Sequence, residues 1–590
     1  MAVNRARDDE KKGELKKKEI FLRLMKYTAQ YKKEVIVVIV IMMALSMLLA
    51  SLPLLTRNAV DVQIANKDLK GLLIVMGIYI FLVVIWWIFY IVRVKIMARV
   101  ANKVVLQIRD EVFAHLQTLG LYYFDSRPTG KILSRLIGDI TSMKDMLKQL
   151  VTTVVPNSFY LLCISVAMFI MNPILALGAF VSLPVIAIGT FLIMKYTYTM
   201  WYAFRQKQSN IAGYAHEAFS GIKVVQSFTA EEESKESFEE INSDIYKHWV
   251  KAVRIADLLS VVIDLSQGIG YFMLYFFAIY LLKIDASSVG ELIAFATYIS
   301  LFWQPIRSLA NMYNQLSNNL AGAGRVFEIL DEKSALEDDL SLPDLPQIKG
   351  DVTFDKVSFA YPDEPDVLIL DKLSFNVKSG ARVALVGPTG AGKTTVINLI
   401  CRFYEPVSGR ILIDGKDISH YSLSSLRSQV GVMTQESYLF SGTLMENIRY
   451  GRMSASDEEV KEASRITGAD SFISKLPKGY ESDASEANLS QGQKQLVALS
   501  RTLLSDPHIL ILDEATSSID THTELLVQQG IARLMEGRTS FVVAHRLSTI
   551  RNADVIFVID NKGILEKGSH EELLKKNGTY ASLYRAQFAT

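Results

Sequence analysis

The sequence predicts a multidomain membrane protein, in which an all-α domain of six membrane-spanning helices precedes an α/β domain of the phosphate-loop ATPase class. Three observations support this fold class. Long apolar runs are concentrated before about residue 315, and short apolar strands alternate with amphipathic helices after residue 350. Residues 387–394 read Gly-Pro-Thr-Gly-Ala-Gly-Lys-Thr. Membrane-length apolar runs, α/β alternation and a phosphate-binding loop are each typical of one part of such a chain.

Length and composition exclude several other classes. A chain of 590 residues exceeds what one hydrophobic core supports, so more than one domain is expected. The net charge of +1 provides no overall field, which argues against a nucleic-acid partner. Two cysteines, Cys163 and Cys401, are too few for a disulfide framework or a cysteine-based metal cluster.

Residues 1–34 form a basic N-terminal segment without the cleavable apolar core of a secretory signal. Within Lys16 to Tyr31, four apolar residues recur at helical spacing: Ile20, Phe21, Leu24 and Met25. A basic amphipathic helix of this kind is typical of a segment lying on anionic lipid. An ordinary solvated helix is the alternative interpretation.

Six runs of about 20 mostly apolar residues predict six spans within residues 35–329. They are Val35 to Leu55, Leu72 to Val92, Val151 to Met171, Ile174 to Lys195, Leu258 to Leu282 and Glu291 to Gln315. The connections 93–150 and 196–257 are long and rich in Lys and Arg. The basic-loop bias therefore predicts that both termini, both long loops and the C-terminal domain are cytoplasmic. We expect a multi-pass protein of the plasma membrane, in a bacterium the inner membrane.

Each long loop contains a break in its helical pattern, at Tyr122 to Gly130 and at Glu217 to Gly221. These breaks are either contact points for another domain or plain turns between helices. Residues 330–350 are polar and contain Pro343 and Pro346, as expected of a linker. The nucleotide-binding domain is predicted to occupy residues 351–590.

The phosphate loop lies between an apolar strand at 383–386 and a helix that begins near Thr395. Its glycines let backbone amides surround phosphate oxygens, Lys393 reaches the terminal phosphates and the Thr394 hydroxyl can bind Mg²⁺. The predicted nucleotide-binding residues here are Gly387, Gly390, Gly392, Lys393, Thr394 and Thr395.

A second apolar strand, from His508, ends in the carboxylates Asp513 and Glu514. Acidic residues often end strands for structural reasons, but this pair occurs in the same domain as a phosphate loop. The pattern suits a magnesium-holding Asp513 followed by Glu514 as the base that activates water.

Residues 489–493 read Leu-Ser-Gln-Gly-Gln, immediately before an apolar helical pattern. This segment makes a resemblance to a known family specific. The chain resembles the ATP-binding cassette (ABC) superfamily, in the exporter group whose half-transporters fuse one six-span domain of the type IV fold to one nucleotide-binding domain. The resemblance covers nearly the whole length. It implies that Ser490 and Gly492 contact the γ-phosphate held by the other subunit, and that the two loop breaks are coupling helices. Four further residues match family positions in the family's order: Tyr361 (adenine stacking), Gln435 (Q-loop, near Mg²⁺ and water), Asp520 (D-loop) and His545 (switch histidine).

The resemblance implies an ATP hydrolase that uses ATP and Mg²⁺ to export an amphipathic substrate, a drug, lipid or peptide, by alternating access. An ATP-gated channel or regulator is the alternative. A mechanical ATPase of the DNA-repair type is disfavoured by the six spans. Asp264 and Gln267 interrupt the fifth apolar run. They are predicted to line the cargo pathway, with structural pairing between spans as the other interpretation.

A second half-transporter is the partner that the resemblance implies, because each chain supplies half of two sites. Gln491 stands where the family usually has glycine, and residues 485–488 lack the usual neighbouring glycines. These departures favour a heterodimer over a homodimer. In such a pair this chain resembles the catalytically intact subunit of heterodimeric multidrug-type exporters.

Overall fold

The computed structural model describes residues 17–281, 289–333, 341–434, 437–485, 487, 489–513, 521–543 and 550–588. The chain divides into two compact units. One unit comprises the chain to Ala114 and Gly130–Glu332, and the other comprises His115–Thr129 and Lys333–Thr590. The stretch His115–Thr129 lies inside the predicted membrane domain by sequence, yet it packs with the C-terminal half.

Helices account for most of the described residues as far as Asp331. They are α1 (Lys17–Thr28), α2 (Lys32–Asn58), α3 (Leu69–Thr118), α4 (Leu121–Asp125), α5 (Thr129–Ser134), α6 (Ile140–Gln149), α7 (Val155–Met171), α8 (Pro173–Phe180), α9 (Leu183–Ser220), α10 (Ile222–Ser227), α11 (Glu231–Phe276) and α12 (Val289–Asp331). Several continue into π-helical turns, at Ala59–Ile64, Arg135–Asp139, Leu150–Val154 and Phe277–Leu281.

Six helical stretches of the described chain are long and apolar enough to cross a membrane. They are Lys18–Ile64, Leu69–Thr118, Thr129–Met171, Pro173–Ile193, Glu231–Tyr280 and Val289–Ile306. The prediction of six spans is therefore confirmed. Apolar side chains on α3 remain exposed, with Ile80 at 59% and Phe81 at 63%. Exposed apolar surface of this extent suits contact with hydrocarbon rather than with water.

The span helices pack around a shared apolar core. Tyr298 of α12 is fully buried, and its hydroxyl donates to the carbonyl oxygen of Ala50 in α2 at 2.6 Å. Proline at position 53 lies inside α2 and lacks a backbone N–H. Between α7 and α8, the Asn172 side chain accepts from the backbone amides of Ile174 and Leu175 and so caps α8.

The C-terminal unit contains two sheets. The strands are β1 (Val352–Ala360), β2 (Leu368–Val377), β3 (Arg382–Val386), β4 (Ser408–Ile413), β5 (Lys416–Asp417), β6 (Val430–Met433), β7 (Ile509–Asp513), β8 (Thr539–Val543), β9 (Val555–Asp560) and β10 (Gly563–Gly568). One sheet has the order β2-β1-β4-β5 and pairs antiparallel, and the other has the order β10-β9-β3-β8-β7-β6.

The helices of this unit follow its strands or connect them. They are α13 (Lys393–Ile400), α14 (Leu423–Arg427), α15 (Leu444–Arg449), α16 (Asp457–Thr467), α17 (Asp470–Ile473), α18 (Gln491–Leu504), α19 (Thr521–Met535), α20 (His570–Lys576) and α21 (Thr579–Phe588). Strands β3, β6, β7, β8 and β9 are mutually parallel. The carboxyl ends of parallel strands meet at one edge of a sheet, so this edge is where a ligand site is expected.

Candidate nucleotide site

The phosphate loop follows β3, which lies between β8 and β9 in the six-stranded sheet. The backbone at Gly387 passes so close to the next strand that an added Cβ would lie 2.1 Å from the carbonyl oxygen of Ile559. Gly392 has φ +100° and caps the start of α13, a conformation that favours glycine. Both glycines are therefore required by the backbone path that brings the loop to the helix N-terminus.

The Lys393 side chain folds into the loop. Its Nζ donates to the carbonyl oxygens of Gly387 at 2.7 Å and Pro388 at 2.9 Å. Burial lowers the pKa of Lys393, and the nearby Asp513 carboxylate partly opposes that shift. A desolvated ammonium held by two carbonyls would exchange these weak partners for phosphate oxygens with a gain in charge pairing.

Asp513 ends β7, in register with Val543 of β8. Strands β3 and β7 both pair parallel with β8, so the predicted acidic strand end and the phosphate loop lie at the same edge of the sheet. Thr394 is exposed beside the loop. A hydroxyl and a carboxylate near a phosphate loop are the oxygen ligands that Mg²⁺ takes together with phosphate oxygens. These residues therefore fit a magnesium ion, which would neutralise charge on the β- and γ-phosphates.

Tyr361 stands beside α13 immediately after β1. Its hydroxyl hydrogen-bonds with the hydroxyl of Thr395 at 3.1 Å, and its ring packs edge-on against Phe359 and Tyr404. The structure thus brings the predicted adenine-stacking ring to the phosphate-binding helix. The hydrogen bond to Thr395 gives that residue a positioning role that the sequence motif alone did not indicate.

Ser490 and Gly492 lie at the start of α18, which packs in a second hydrophobic core with α16 and α19. The Ser490 hydroxyl accepts from the Gln493 backbone amide, and the Gln493 side chain accepts from the Ser490 amide. This capping box fixes the helix start. Ser490 and Gln491 are exposed there, whereas Gly492 is buried. An exposed helix N-terminus is suited to an anion supplied from outside the unit.

Four predicted site residues lie outside the described residues: Gln435, Glu514, Asp520 and His545. Their neighbours are placed, since Asp513 directly precedes Glu514 and β8 ends at Val543, two residues before His545. Their roles remain predictions. Within the described part of the chain, no group of three or more His, Cys, Asp or Glu side chains could hold a metal ion by itself.

The first loop break packs against the nucleotide-binding half inside the second unit. Leu121 and Tyr122 of α4 contact its main core, and the hydroxyl of Tyr404 donates to the Asp125 carboxylate at 2.7 Å. A cleft of about 380 Å³ separates this segment from the turn that follows Tyr361. The sequence analysis predicted the break but missed Tyr404, because no motif distinguishes this residue from an ordinary aromatic residue of the core.

The second break, Glu217 to Gly221, is where α9 ends and α10 begins. Phe219 is 75% exposed and Phe228 is 79% exposed in this chain. On α11, Asp264 is exposed, while the Gln267 amide donates to the Tyr271 hydroxyl at 3.1 Å. Neither the exposure of Asp264 nor the hydrogen bond of Gln267 places these residues in a cargo pathway, so that assignment stays a prediction.

Six membrane-crossing helices joined to a parallel sheet with a phosphate loop define a membrane-bound nucleoside triphosphatase. The sequence model of the ABC transporter transmembrane region matches residues 35–306, and that of the ABC transporter domain matches residues 370–517. The chain therefore belongs to the ABC transporter family, as an exporter-type half-transporter that hydrolyses ATP.

Known relatives match nearly end to end. The uncharacterized ABC transporter ATP-binding protein YknV of Bacillus subtilis is 37% identical over 572 residues, covering 96% of this chain and 94% of that protein. The fatty acid ABC transporter ATP-binding/permease protein of Mycobacterium bovis is 35% identical, covering 91% and 84%. A bacterial Atm1-family ABC exporter with ATP bound has a similar structure, with TM-score 0.77 and 30% identity over 95% of this chain and 99% of that chain.

Proposed function

We propose that this chain is the catalytically intact half of a heterodimeric exporter that moves a lipid-like or drug-like amphipath out of the cytoplasm by alternating access. ATP closes the paired nucleotide-binding domains, the loop breaks transmit closure to the spans, and hydrolysis resets them. The orientation follows from the basic loops, with both termini and the nucleotide-binding domain in the cytoplasm of a bacterial cell.

The observation that carries the proposal is the arrangement at the carboxyl edge of the six-stranded sheet. The loop glycines, Lys393 and the strand end at Asp513 lie at that edge, which supports the proposal that this chain has its own ATP-holding half-site. Conversely, the α18 N-terminus with Ser490 belongs to a different core, and Ser490 and Gln491 are exposed there. A second chain that presents its own α18 would complete the site built on this chain.

Magnesium belongs to this proposal. Thr394 and Asp513 would bind it together with Gln435, and the ion would lower the cost of developing negative charge during phosphoryl transfer to water. Glu514 would take the proton from that water, and His545 would hydrogen-bond the γ-phosphate. Each of these roles concerns a residue type suited to the step.

An amphipathic cargo is supported by the composition of the spans and by relatives. The exposed apolar faces of the first unit offer lipid-accessible surface, and one relative carries a fatty acid transporter name. A cargo that partitions into the bilayer could enter between such helices and leave toward the other leaflet.

Transport in sealed vesicles tests the proposal. Inside-out vesicles containing the chain, with and without the product of an adjacent related gene, would be screened with labelled lipids, dyes and peptides. We expect ATP-dependent accumulation against a gradient for at least one amphipath. Movement that only dissipates a gradient, gated by ATP, would instead identify a channel.

A further inference from the structure

Helix α1 has two opposite faces. Ile20, Leu24 and Thr28 recur every four residues and are buried, at 5%, 0% and 2% exposure. Lys18, Leu22 and Lys26 recur at the same interval, displaced by two residues, and are exposed. A displacement of two residues corresponds to about 200° around an α-helix. The inner face therefore packs on protein, although the whole apolar pattern had suggested a helix lying on lipid.

The inner face holds the end of α12. Ile20 lies against Gly324, where an added Cβ would be 3.0 Å from its Cδ1 atom. The Arg23 guanidinium lies 4.5 Å over the Phe327 ring and donates to both Asp331 carboxylate oxygens, at 2.7 and 2.6 Å. Asp331 is the last residue of α12 and precedes the linker to the nucleotide-binding half.

A second contact ties the same site to α3. The Tyr27 ring stacks on Phe327 with centroids 6.4 Å apart, and its hydroxyl donates to Glu111 of α3 at 2.6 Å. We call Arg23, Tyr27, Phe327, Asp331 and Glu111 the N-terminal clasp. The clasp joins three helices at the point where α12 leaves the spanning domain.

The ion pair at the centre of the clasp is weak by itself. The Arg23 and Asp331 side chains are 34% and 47% exposed, and solvent-exposed ion pairs contribute little to stability. The stacked Phe327 adds a modest cation–π term. A contact of this strength can be made or lost when α1 gains or loses a comparable interaction on its other face.

The outer face of α1 carries the residue types that could make such a comparable interaction. Lys18 and Lys26 flank Leu22, which is 56% exposed, and Lys32 and Lys33 are exposed just before the first span. Two exposed acids, Glu19 and Glu34, offset part of this charge. Cations beside an apolar side chain next to a membrane-spanning helix match an anionic lipid surface.

We propose that anionic lipid headgroups hold the outer face of α1 and thereby stabilise the N-terminal clasp, so that the anionic lipid content of the membrane sets how well ATP hydrolysis is coupled to transport. The inference rests on the proposed function. It adds a lipid-binding surface and a regulatory contact to it.

The test uses the full-length transporter with its partner in vesicles of phosphatidylcholine, with or without phosphatidylglycerol. Cargo-stimulated ATPase activity is measured in both. For the wild type we expect a several-fold rise with phosphatidylglycerol. Lys18→Glu/Lys26→Glu, which changes exposed residues only, should abolish the rise, and the matched reversal Lys575→Glu/Lys576→Glu on α20 should retain it.

Clasp variants separate binding from transmission. Arg23→Ala should retain basal ATPase activity and lose the lipid response, and the charge swap Arg23→Asp/Asp331→Arg should recover at least half of it. Equal activity of the wild type in both lipids would overturn the inference while leaving the transporter function intact. Absence of ATPase activity in every lipid would count against the proposed function. A response to soluble glycerol phosphate without anionic vesicles would replace the lipid surface by a small-anion site.

Discussion

The Tyr404 hydroxyl donates to the Asp125 carboxylate at 2.7 Å, and the same Tyr404 ring meets the Tyr361 ring edge-on with centroids 5.3 Å apart. Burial raises the pKa of Tyr404 well above its usual range, and the hydrogen bond to Asp125 adds to this shift. The hydroxyl therefore stays a donor throughout the physiological pH range. Tyr404 thus contacts both Tyr361, the predicted adenine-stacking residue, and Asp125 of the first loop break.

Tyr404→Phe should weaken coupling without weakening nucleotide binding. The change removes the donor and keeps the ring against Tyr361, at a cost of about 1.5–3 kcal/mol for the lost hydrogen bond to a charged group. We expect ATP affinity to stay close to the wild-type value and the amount of cargo moved per ATP to fall. Paired transport and phosphate-release assays in vesicles measure this ratio.

A variant of Asp125, which accepts the hydrogen bond from Tyr404, tests whether this bond carries the coupling. Asp125→Ala should reproduce the effect of Tyr404→Phe, and the double variant should be no worse than either single change, because both remove one interaction. Tyr450→Phe is the matched control, since the Tyr450 ring stacks on Phe440 at a different surface. Full additivity of the two changes would show that the bond does not carry the coupling.

Lys393→Ala should weaken ATP binding by about 10- to 100-fold, the equivalent of a lost charged hydrogen bond of about 1.5–3 kcal/mol. Binding is measured with a fluorescent ATP analogue, and Lys378→Ala, which changes an exposed lysine of the same domain, should bind normally. Phosphate pairs with the protonated amine, so affinity is present below the Lys393 pKa and lost as pH rises through it. Because burial lowers that pKa, the loss should begin below the usual lysine range.

Glu514→Gln should retain ATP binding and lower kcat by about 100-fold or more, because general base catalysis contributes about 10²–10⁴-fold. The amide preserves the size of the side chain and its hydrogen bonding. Steady-state phosphate release and trapped-nucleotide measurements on the same preparation distinguish binding from turnover. Glu481→Gln changes an exposed glutamate outside the site and serves as control. Near-normal hydrolysis by Glu514→Gln would assign the base to another residue.

The features that the sequence predicted share a local pattern. Apolar runs of membrane length, the glycine spacing of the phosphate loop and an acidic strand end each lie within one contiguous segment. The six spans therefore appeared in the structure as expected. Strands β3 and β7 both pair parallel with β8 and end at the same edge of the sheet, while the roles of Lys393 and Asp513 stay predictions. The conformations required at Gly387 and Gly392 explain why that spacing is informative.

The features that sequence reasoning missed depend on distant pairs. Tyr404 and Asp125 are 279 positions apart, and Arg23 and Asp331 are 308 apart. Neither pair follows a helical or strand period, and each residue type is common on ordinary surfaces or in cores. The apolar pattern of α1 correctly predicted that this segment is a helix. It could not show that Ile20 lies against α12 rather than lipid.

Asp264→Asn should change cargo selectivity or cargo-stimulated ATPase activity, with basal ATPase activity nearly unchanged. A carboxylate in an apolar span is costly unless it faces protein or water, and Asp264 is exposed in the single chain beside the buried Ser266. Asp257→Asn lies seven residues earlier on the same face, before the predicted span, and is the matched control. Unchanged transport of every recognised cargo would remove Asp264 from the pathway.

The proposed heterodimer leads to a prediction about Gln491, the first residue of α18, which is exposed next to the Ser490 cap. Glutamine adds a side chain where a helix N-terminus would approach a phosphate held by the partner. The site that uses this α18 should therefore turn over slowly, and the site that uses Lys393, Asp513 and Glu514 should turn over normally. Single-turnover hydrolysis by the purified pair should show one fast and one slow site.

Gln491→Gly tests whether the side chain itself slows that site. Glycine removes the added side chain while the Ser490 and Gln493 capping bonds remain, so the helix start is preserved. Suppose first that the partner lacks a counterpart of Glu514. The site built from the partner's phosphate loop and this chain's α18 then stays slow, because it has no base. In that case the variant raises the affinity of this site for ATP but not its rate of hydrolysis. If the partner has that glutamate, the variant should speed the slow site. Full coupled transport by this chain alone, with two equivalent hydrolysing sites, would establish a homodimer instead, in which Gln491 does not disturb phosphate contact.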